Sequence, residues 1–381
     1  MHPLDHPLHR PPVVRQVSEL IGATPLFELC RTESDARLLL KLEQFNPTGT
    51  AKIRMARQMV IDAEERGLLR PGGRIIESTS GNTGLGLAVV AAERGYTFTA
   101  VVDHHAAKDK LRAMKAMGTE LVYVADEGDD DLATAAREEL AERMAAESDN
   151  AYFTEQHNNL ANGVGYHPVA RELDAALEGR IDVLIGAVGT GGGLFGTGGE
   201  LRRTVPGVRI VGVEPKGSIA YGPPAHDYHQ SGTGTPEGAT IGAMVDYSLL
   251  DEGAKVGDIE AFATARAVAR RTGLLLGGSA GGVVYEALTR MTSLAPGTTM
   301  VALINDGGEK YLDTVFDDDW MGARDLLSPD VEREVDELLA KLRRVAPGAR
   351  ADRVSPGDDP RTPGRTSGSA KVPGVDIARE T

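Results

Sequence analysis

The sequence predicts an α/β fold with two doubly wound domains and mainly parallel sheets. Short apolar runs of strand length alternate with longer helix-like runs along most of the chain. This alternation is typical of βαβ units, which build parallel sheets. Several helix-like runs also end at a glycine, the residue that most often terminates a helix. With 381 residues, the chain is long enough for two domains or one large α/β unit.

In the first half of the chain, strands are expected where apolar residues cluster between turn signals, at residues 38–42, 74–77, 98–102 and 120–124. Helices are expected where the apolar residues recur with helical spacing, at residues 18–22, 55–66, 85–94, 108–117 and 132–147. Gly67, Gly95 and Gly118 follow three of these helices as stop signals.

In the second half, the same criteria predict strands at residues 182–188, 273–276 and 300–304. They predict helices at residues 261–271, 283–290 and 331–345. The expected organisation is a tail at residues 1–14, an N-terminal α/β domain at 15–160, a C-terminal α/β domain at 161–328, and a helix with a disordered tail at 329–381.

Composition narrows the class of function. A net charge of -15 argues against nucleic acid or an anionic membrane as a partner, and no apolar run is long enough to span a membrane. The single cysteine, Cys30, allows no internal disulfide and fits a cytoplasmic protein. No metal site is expected, because no carboxylate or cysteine shares the spacing of the histidines His104, His105, His226 and His229.

Lys52 is a candidate catalytic residue. It follows the turn-forming residues Asn46, Pro47 and Gly49 and opens a predicted helix. A cation is disfavoured at a helix N-terminus, so the pKa of this amine should be lowered. A neutral amine is the form that Schiff-base chemistry requires, although a solvated loop lysine is the alternative interpretation of this residue by itself.

A second candidate site is the run of small polar residues and glycines at residues 78–84, between a strand and a helix. Its backbone N–H groups would point outward at the positive end of the helix, where a carboxylate can bind. Residues 152–162 are rich in amide side chains, which suit either a ligand or solvent.

The glycine loop at residues 189–196 follows another buried strand and suits a phosphate. Two hypotheses share it. Gly191, Gly193 and Gly196 also satisfy the dinucleotide fingerprint, and Glu214 ends the next strand as a ribose-binding acid would. The alternatives are therefore a single phosphate and a dinucleotide, the latter in an NAD-dependent oxidoreductase. A third glycine loop lies at residues 277–282.

In combination, these loops resemble the motifs of the cysteine synthase and cystathionine β-synthase family, across about residues 17–321. The motifs are Asn46-Pro47-Thr48-Gly49-Thr50-Ala51-Lys52-Ile53-Arg54, Glu77-Ser78-Thr79-Ser80-Gly81-Asn82-Thr83-Gly84, Gly189–Gly193 and Gly277-Gly278-Ser279-Ala280-Gly281. The resemblance implies pyridoxal 5'-phosphate as cofactor and the pyridoxal-phosphate fold type II, which is tryptophan synthase β-like.

The resemblance also implies roles for individual residues. Lys52 would be catalytic, first as the Schiff-base anchor and then as the base that takes the Cα proton. The implied cofactor-binding residues are Lys52, Asn82, Gly189, Thr190, Gly191, Gly192, Gly193 and Ser279. The implied substrate-binding residues are Thr79, Ser80, Gly81, Thr83 and Gln156.

The implied function is β-replacement on O-acetyl- or O-phospho-L-serine through an aminoacrylate intermediate, as in cysteine biosynthesis. Such a transferase or lyase would join an amino-acid substrate to a sulfur or amine nucleophile and would form a homodimer. Ile53 and Gly193 stand where relatives often carry Asp and Thr. Residues 216–222 and 311–321 are closer to cystathionine β-synthases and to the 2,3-diaminopropionate-forming branch. A cystathionine β-synthase and an N-(2-amino-2-carboxyethyl)-L-glutamate synthase are therefore alternatives.

Overall fold

The structure is a computed structural model that describes residues 13–103, 108–124 and 130–342, with side chains omitted at 130–134. The described strands are β1 (Leu26–Arg31), β2 (Arg37–Leu42), β3 (Arg74–Ser78), β4 (Thr97–Val102), β5 (Glu120–Tyr123), β6 (Ala151–Phe153), β7 (Val183–Ala187), β8 (Arg209–Pro215), β9 (Glu252–Val256) and β10 (Thr299–Ile304). The predicted tails, where they cover 1–12 and 343–381, and His104 and His105 lie outside the described residues.

The α-helices of the described residues surround the sheets, and short 3-10 turns lie at residues 17–20, 43–45, 47–49 and 308–311. These helices are α1 (Lys52–Glu65), α2 (Asn82–Arg94), α3 (Lys108–Ala116), α4 (Asp130–Ala146), α5 (Ala161–Val164), α6 (His167–Leu177), α7 (Thr197–Thr204), α8 (Asp258–Thr272), α9 (Gly278–Met291), α10 (Asp318–Gly322) and α11 (Pro329–Lys341). None of them is long and apolar enough to cross a membrane.

The strands form two sheets, which belong to one compact unit. The smaller sheet has the order β5-β4-β3-β6 and is entirely parallel. The larger sheet has the order β1-β2-β10-β7-β8-β9, and only the β1–β2 pair is antiparallel. The predicted fold class, α/β with mainly parallel sheets, is therefore confirmed.

The sequence of strand β10 is a continuous apolar run, and its position in the larger sheet explains why. It lies between β2 and β7, and all six of its residues are buried. A strand covered by helices on both faces has no solvent side, so its residues need not alternate between apolar and polar. Helix α9 packs over this strand and its neighbours and contributes Val283, Ala287 and Met291 to the same core.

Some sequence predictions are wrong in detail. Residues 273–276 do not form a strand, and only Leu276 makes an isolated bridge, to Gly307. The segment runs directly into α9, which leaves too few residues for a ladder. Helix α1 begins at Lys52, which the sequence predicts as a helix start, three residues before the predicted helical run at 55–66. Strands β1, β6 and β9 carried too little apolar pattern to be predicted.

The domain boundaries remain predictions, but the strand order shows how the chain passes between the two sheets. Strands β1 and β2 belong to the larger sheet, together with β7–β10 from the second half of the chain. The chain therefore leaves the larger sheet after β2, builds the smaller one, and returns at β7. The loops after β2, β3, β7 and β10 follow the carboxyl ends of parallel strands, where ligand sites occur in such sheets.

Candidate active site

The lysine loop connects β2 to α1 and is fixed to the end of β10. The N–H of Ala51 donates to the carbonyl of Asn305 over 2.8 Å, and Thr50 forms a bridge with Asp306. Thr48 and Gly49 both have a φ of +67°, so the loop makes a tight left-handed turn before the helix. Lys52 is the first residue of α1 and is half-buried.

Burial lowers the pKa of Lys52 to about 8, from an ordinary value of 10.5. Removal from water disfavours the charged ammonium, and the negative charges of Glu77 and Asp306 oppose this effect only in part. More of this amine is therefore neutral near physiological pH than of an ordinary lysine, and the cause is burial rather than the helix dipole on which the sequence prediction rested.

A buried ion-pair network lies beneath the lysine loop. The Arg54 guanidinium donates through Nε to Glu43 Oε2 over 2.6 Å and through Nη1 to Glu172 Oε1 over 2.9 Å. Asn46, in the loop, donates to the same Glu43 carboxylate over 2.8 Å. The side chains of Arg54 and Glu43 are each 2% exposed. Because breaking a buried pair leaves an uncompensated charge, this network fixes the loop firmly against α1.

The second loop, between β3 and α2, is held by hydrogen bonds to its own residue Thr79. The N–H groups of Gly81 and Gly84 both donate to Thr79 Oγ1, over 3.3 and 3.2 Å. Helix α2 then begins at Asn82, so this loop lies at the N-terminus of the helix, the positive end of its dipole.

Gln156 lies against this loop, as the resemblance predicts. Thr83 donates its hydroxyl hydrogen to Gln156 Oε1 over 2.7 Å, and Gln156 Nε2 donates to Glu77 Oε1 over 3.2 Å. Glu77 also accepts from the hydroxyl of Thr154. Burial raises the pKa of the Glu77 carboxyl to about 8, although these hydrogen bonds act in the opposite direction.

Asn82 is held by residues that sequence reasoning missed. Asn82 Nδ2 donates to Asp306 Oδ2 over 2.8 Å, and Lys310 Nζ donates to Asn82 Oδ1 over 3.2 Å. The hydroxyl of Tyr311 donates to the same Asp306 Oδ2 over 2.7 Å. These residues follow β10 directly, and that position at a strand end was the signal that could have identified them.

Two further residues near the site were also missed. Lys110, on α3, is 9% exposed, and its Nζ lies 5.1 Å from the centre of the Tyr311 ring. His157 is half-buried, and burial together with the charge of Lys52 lowers the pKa of its imidazole to about 4. His157 is therefore neutral near pH 7. Within the described residues, no group of three or more metal-binding side chains is present.

The glycine loop after β7 presents unused backbone donors. Among the described residues, the N–H groups of Gly189, Thr190 and Gly191 have no acceptor. Gly191 has a φ of +87°, which favours glycine, and a π-helical turn (Gly192–Gly196) leads into α7. Successive free N–H groups in such a turn form a binding site for an anion.

Asn162 fastens this loop to the rest of the site. It is fully buried, and its Nδ2 donates to the carbonyl of Gln156 over 2.7 Å and to Thr190 Oγ1 over 3.1 Å. The glycine loop and the amide-rich segment are therefore joined by direct hydrogen bonds. The structure thus brings the Lys52, Asn82 and Gln156 loops and the glycine loop into one connected region.

Residues 17–306 match a family model described as pyridoxal-phosphate dependent enzyme. The chain belongs to this family. The enzyme is 49% identical over 333 residues to a protein of Sinorhizobium fredii named as a cysteine synthase, an alignment that covers 87% of this chain and 98% of the relative. It is 33% identical over 303 residues to an O-acetylserine dependent cystathionine beta-synthase of Bacillus subtilis, covering 79% of this chain and 96% of the relative.

A solved structure supports the same family. Cysteine synthase from Entamoeba histolytica superposes on this pyridoxal-phosphate-dependent enzyme with a TM-score of 0.76 at 28% identity, covering 87% of this chain and 97% of that chain. The predicted family, the fold type and the cofactor, pyridoxal 5'-phosphate, are thereby confirmed.

The residues present fit this cofactor. The free N–H groups of the loop from Gly189 suit a phosphate. Ser279, in the first turn of α9, is 6% exposed, and its hydroxyl has no hydrogen-bond partner among the described residues. This hydroxyl can both donate and accept, so it is available to a polar atom of a ligand.

Glu214 does not suit the dinucleotide hypothesis. Its side chain is fully buried, and its carboxylate pairs with Lys255 Nζ over 3.0 Å. The same carboxylate accepts from the N–H of Tyr221 over 2.9 Å and from the hydroxyl of Ser218. A carboxylate with all these donors is not available to a ribose, so the proposed ribose-binding role of Glu214 is wrong.

Proposed function

We propose that this enzyme catalyses β-replacement on O-acetyl-L-serine, in which a sulfur or amine nucleophile takes the place of acetate. The observation that carries the proposal is the position of Lys52. Its amine has a lowered pKa, and it lies in one region with an anion-binding glycine loop and a helix N-terminus. The relatives named as cysteine synthase and O-acetylserine dependent cystathionine beta-synthase support the same reaction.

The cofactor would be held at four points. The N–H groups of residues 189–193 would bind its phosphate, Ser279 its ring nitrogen, Asn82 its ring hydroxyl and Lys52 its aldehyde carbon. When bound, pyridoxal phosphate supplies a conjugated ring that accepts the electron pair left at Cα. Ser279 is neutral, so it stabilises less positive charge on the ring nitrogen than a carboxylate would. This favours elimination of a good leaving group over chemistry that needs a long-lived carbanion.

The substrate carboxylate would bind at the loop before α2. The hydroxyls of Thr79 and Ser80 and the backbone N–H groups of Ser80 and Thr83 would surround it, beside Gly81, at the positive end of the helix. Gln156 would orient Thr83 by accepting its hydroxyl hydrogen. Glu77 would orient Gln156 in turn, since its carboxylate accepts from the amide nitrogen.

Lys52 would then move the protons of the reaction. Its neutral amine accepts the proton from Cα, and the Cβ–O bond breaks as acetate leaves with the bonding electron pair. The nucleophile forms a new bond to Cβ and loses its own proton, after which Lys52 returns a proton to Cα. A base with a pKa near the working pH performs both transfers efficiently. We also propose that the enzyme is a homodimer, as the resemblance implies, and that it is cytoplasmic, which its single buried cysteine fits.

The test is Lys52→Ala. We expect the purified variant to lack both the absorbance band of the lysine-linked cofactor and any release of acetate from O-acetyl-L-serine with sulfide, because anchor and base are lost together. Lys115→Ala, an exposed lysine on α3, should retain both. A borohydride-reducible cofactor linkage in Lys52→Ala would show that another lysine is the anchor. Wild-type enzyme that releases no acetate with any nucleophile would overturn the reaction itself.

A further inference from the structure

Two lysines near Asp306, the buried Lys110 and the half-buried Lys310, have no ion-pair partner among the described residues. Neither Lys110 nor Lys310 forms an ion pair within 4.0 Å with a carboxylate of the described residues. Lys310 donates to the carbonyl of Gly49 over 3.0 Å and to Asn82 over 3.2 Å, so one of its three hydrogens is unused. Lys110 makes no hydrogen bond within the described residues and rests on the ring of Tyr311.

The two lysines belong to different parts of the fold. Lys110 comes from α3, beside the smaller sheet, and Lys310 follows β10 of the larger sheet. Their charges act on each other, since the ammonium of Lys110 lowers the pKa of Lys310. Burial is the main cause of lowering for both, and it brings the pKa of Lys310 to about 8.

Asp306 is the acid that acts on both lysines, but it does not satisfy them. Its charge raises the pKa of each, yet its Oδ2 accepts from Asn82 and Tyr311 instead. Lysine is almost never buried unless paired, because an isolated ammonium loses its hydration. Lys110 is buried and Lys310 is half-buried, so an anion bound at this site would offset the hydration that both lose.

The donor ester does not account for this anion. O-acetyl-L-serine carries one carboxylate, which the proposed function assigns to the loop before α2. We propose that Lys110 and Lys310 bind a carboxylate carried by the nucleophile, and so select a thiol or amine that bears one over a neutral nucleophile. This proposal rests on the proposed function, and it identifies the second substrate by class.

The test compares 3-mercaptopropionate with 3-mercapto-1-propanol, which differ in the carboxylate, as nucleophiles for the holoenzyme with O-acetyl-L-serine. The wild-type enzyme should give a kcat/KM at least about tenfold higher for the carboxylate thiol, mainly through a lower KM. Lys110→Gln and Lys310→Gln should each reduce this ratio toward one. Lys110→Arg should retain most of it. Lys108→Gln, which alters an exposed lysine on the same helix, should leave it unchanged.

Two results would overturn the proposal. The first is a wild-type ratio near one, which needs no variant and so does not depend on any variant folding. The second is an equal loss of kcat/KM for both thiols in the Lys110 and Lys310 variants, because a structural role would act on both alike.

A second measurement separates this inference from the reaction. Binding of 3-(methylthio)propionate, which has no thiol hydrogen to lose, should be detected by calorimetry in the holoenzyme and be lost in Lys110→Gln but not in Lys108→Gln. If this binding is lost in Lys110→Gln but the wild-type enzyme releases no acetate from O-acetyl-L-serine, the proposed function is refuted and the carboxylate site is retained. Absence of this binding in the wild-type holoenzyme would overturn the site.

Discussion

Asn82 and Asp306 join the two sheets through a single hydrogen bond of 2.8 Å, from Asn82 Nδ2 to Asp306 Oδ2. Asn82 begins the helix that follows β3 of the smaller sheet, and Asp306 follows β10 of the larger sheet. The bond therefore lies where the two halves of the site meet. Because its acceptor is a carboxylate, it is stronger than a bond between neutral groups.

Asp306→Asn should weaken cofactor binding about tenfold. The change keeps the size of the side chain but replaces the charged acceptor of Asn82 and Tyr311, and hydrogen bonds to charged groups are worth about 1.5–3 kcal/mol. Titration of the apo-protein with pyridoxal phosphate, followed by fluorescence, measures the effect. Asp313→Asn, at an exposed aspartate a few residues away, should bind as the wild type does. If both variants bind pyridoxal phosphate with equal affinity, Asp306 does not position Asn82 for the cofactor.

The pH dependence of cofactor attachment should report the pKa of Lys52. Below about pH 8 the amine is mostly protonated and cannot attack an aldehyde, so the rate should rise about tenfold for each pH unit. Above that pH the rate should level off. Stopped-flow absorbance of apo-protein mixed with pyridoxal phosphate measures this rate, and borohydride reduction with peptide mapping identifies the lysine. A rate still rising near pH 10, the range of an ordinary lysine, would contradict the lowered pKa.

Gly192→Ala and Gly193→Ala form a matched pair. A Cβ on Gly192 would lie 2.0 Å from Asn162 Oδ1, whereas the nearest atom to a Cβ on Gly193 is 3.9 Å away. The first variant must displace a fully buried side chain that holds Thr190, so it should lower both the Tm and the affinity for pyridoxal phosphate. The second should be neutral or stabilising by up to about 1 kcal/mol. A Gly192→Ala variant as stable as Gly193→Ala, with the same affinity for pyridoxal phosphate, would show that Asn162 moves freely.

Glu214→Gln should destabilise the fold by about 3 kcal/mol without changing cofactor affinity. It leaves Lys255, on strand β9, without its charged partner, and breaking a buried pair costs roughly 3–5 kcal/mol. Urea unfolding measures the loss, with Glu237→Gln, at an exposed glutamate, as control. Tight NAD(H) binding in the wild type that disappears in Glu214→Gln would instead support a dinucleotide site.

The loops of the site could be predicted because their signals are local. Asn-Pro before Gly49, the small residues before Asn82 and the glycines after β7 each require a particular backbone turn, and each follows a strand. Ordering the strands into two sheets was harder, since β2 pairs not only with β1 but also with β10, which lies more than 200 residues further along the chain.

The partners of the loops could not be predicted for the same reason. The contacts of Asn82 with Asp306 and Lys310 join residues more than 200 positions apart, and no pattern in either segment indicates the other. For Glu214, the sequence pattern instead suggested a role that the structure does not support. Its spacing from the glycine loop matched a ribose-binding acid, but the side chain turned inward to Lys255, which only tertiary packing decides.

The pairing of Thr50 with Asp306 has a consequence for the order of synthesis. The segment that positions Lys52 is made early, but its partner strand leaves the ribosome only after most of the chain has been translated. Contacts between such distant segments form late in folding. A nascent or truncated chain that lacks β10 should therefore have no assembled lysine site and should not retain pyridoxal phosphate. Only a chain that has been translated through β10 should bind the cofactor.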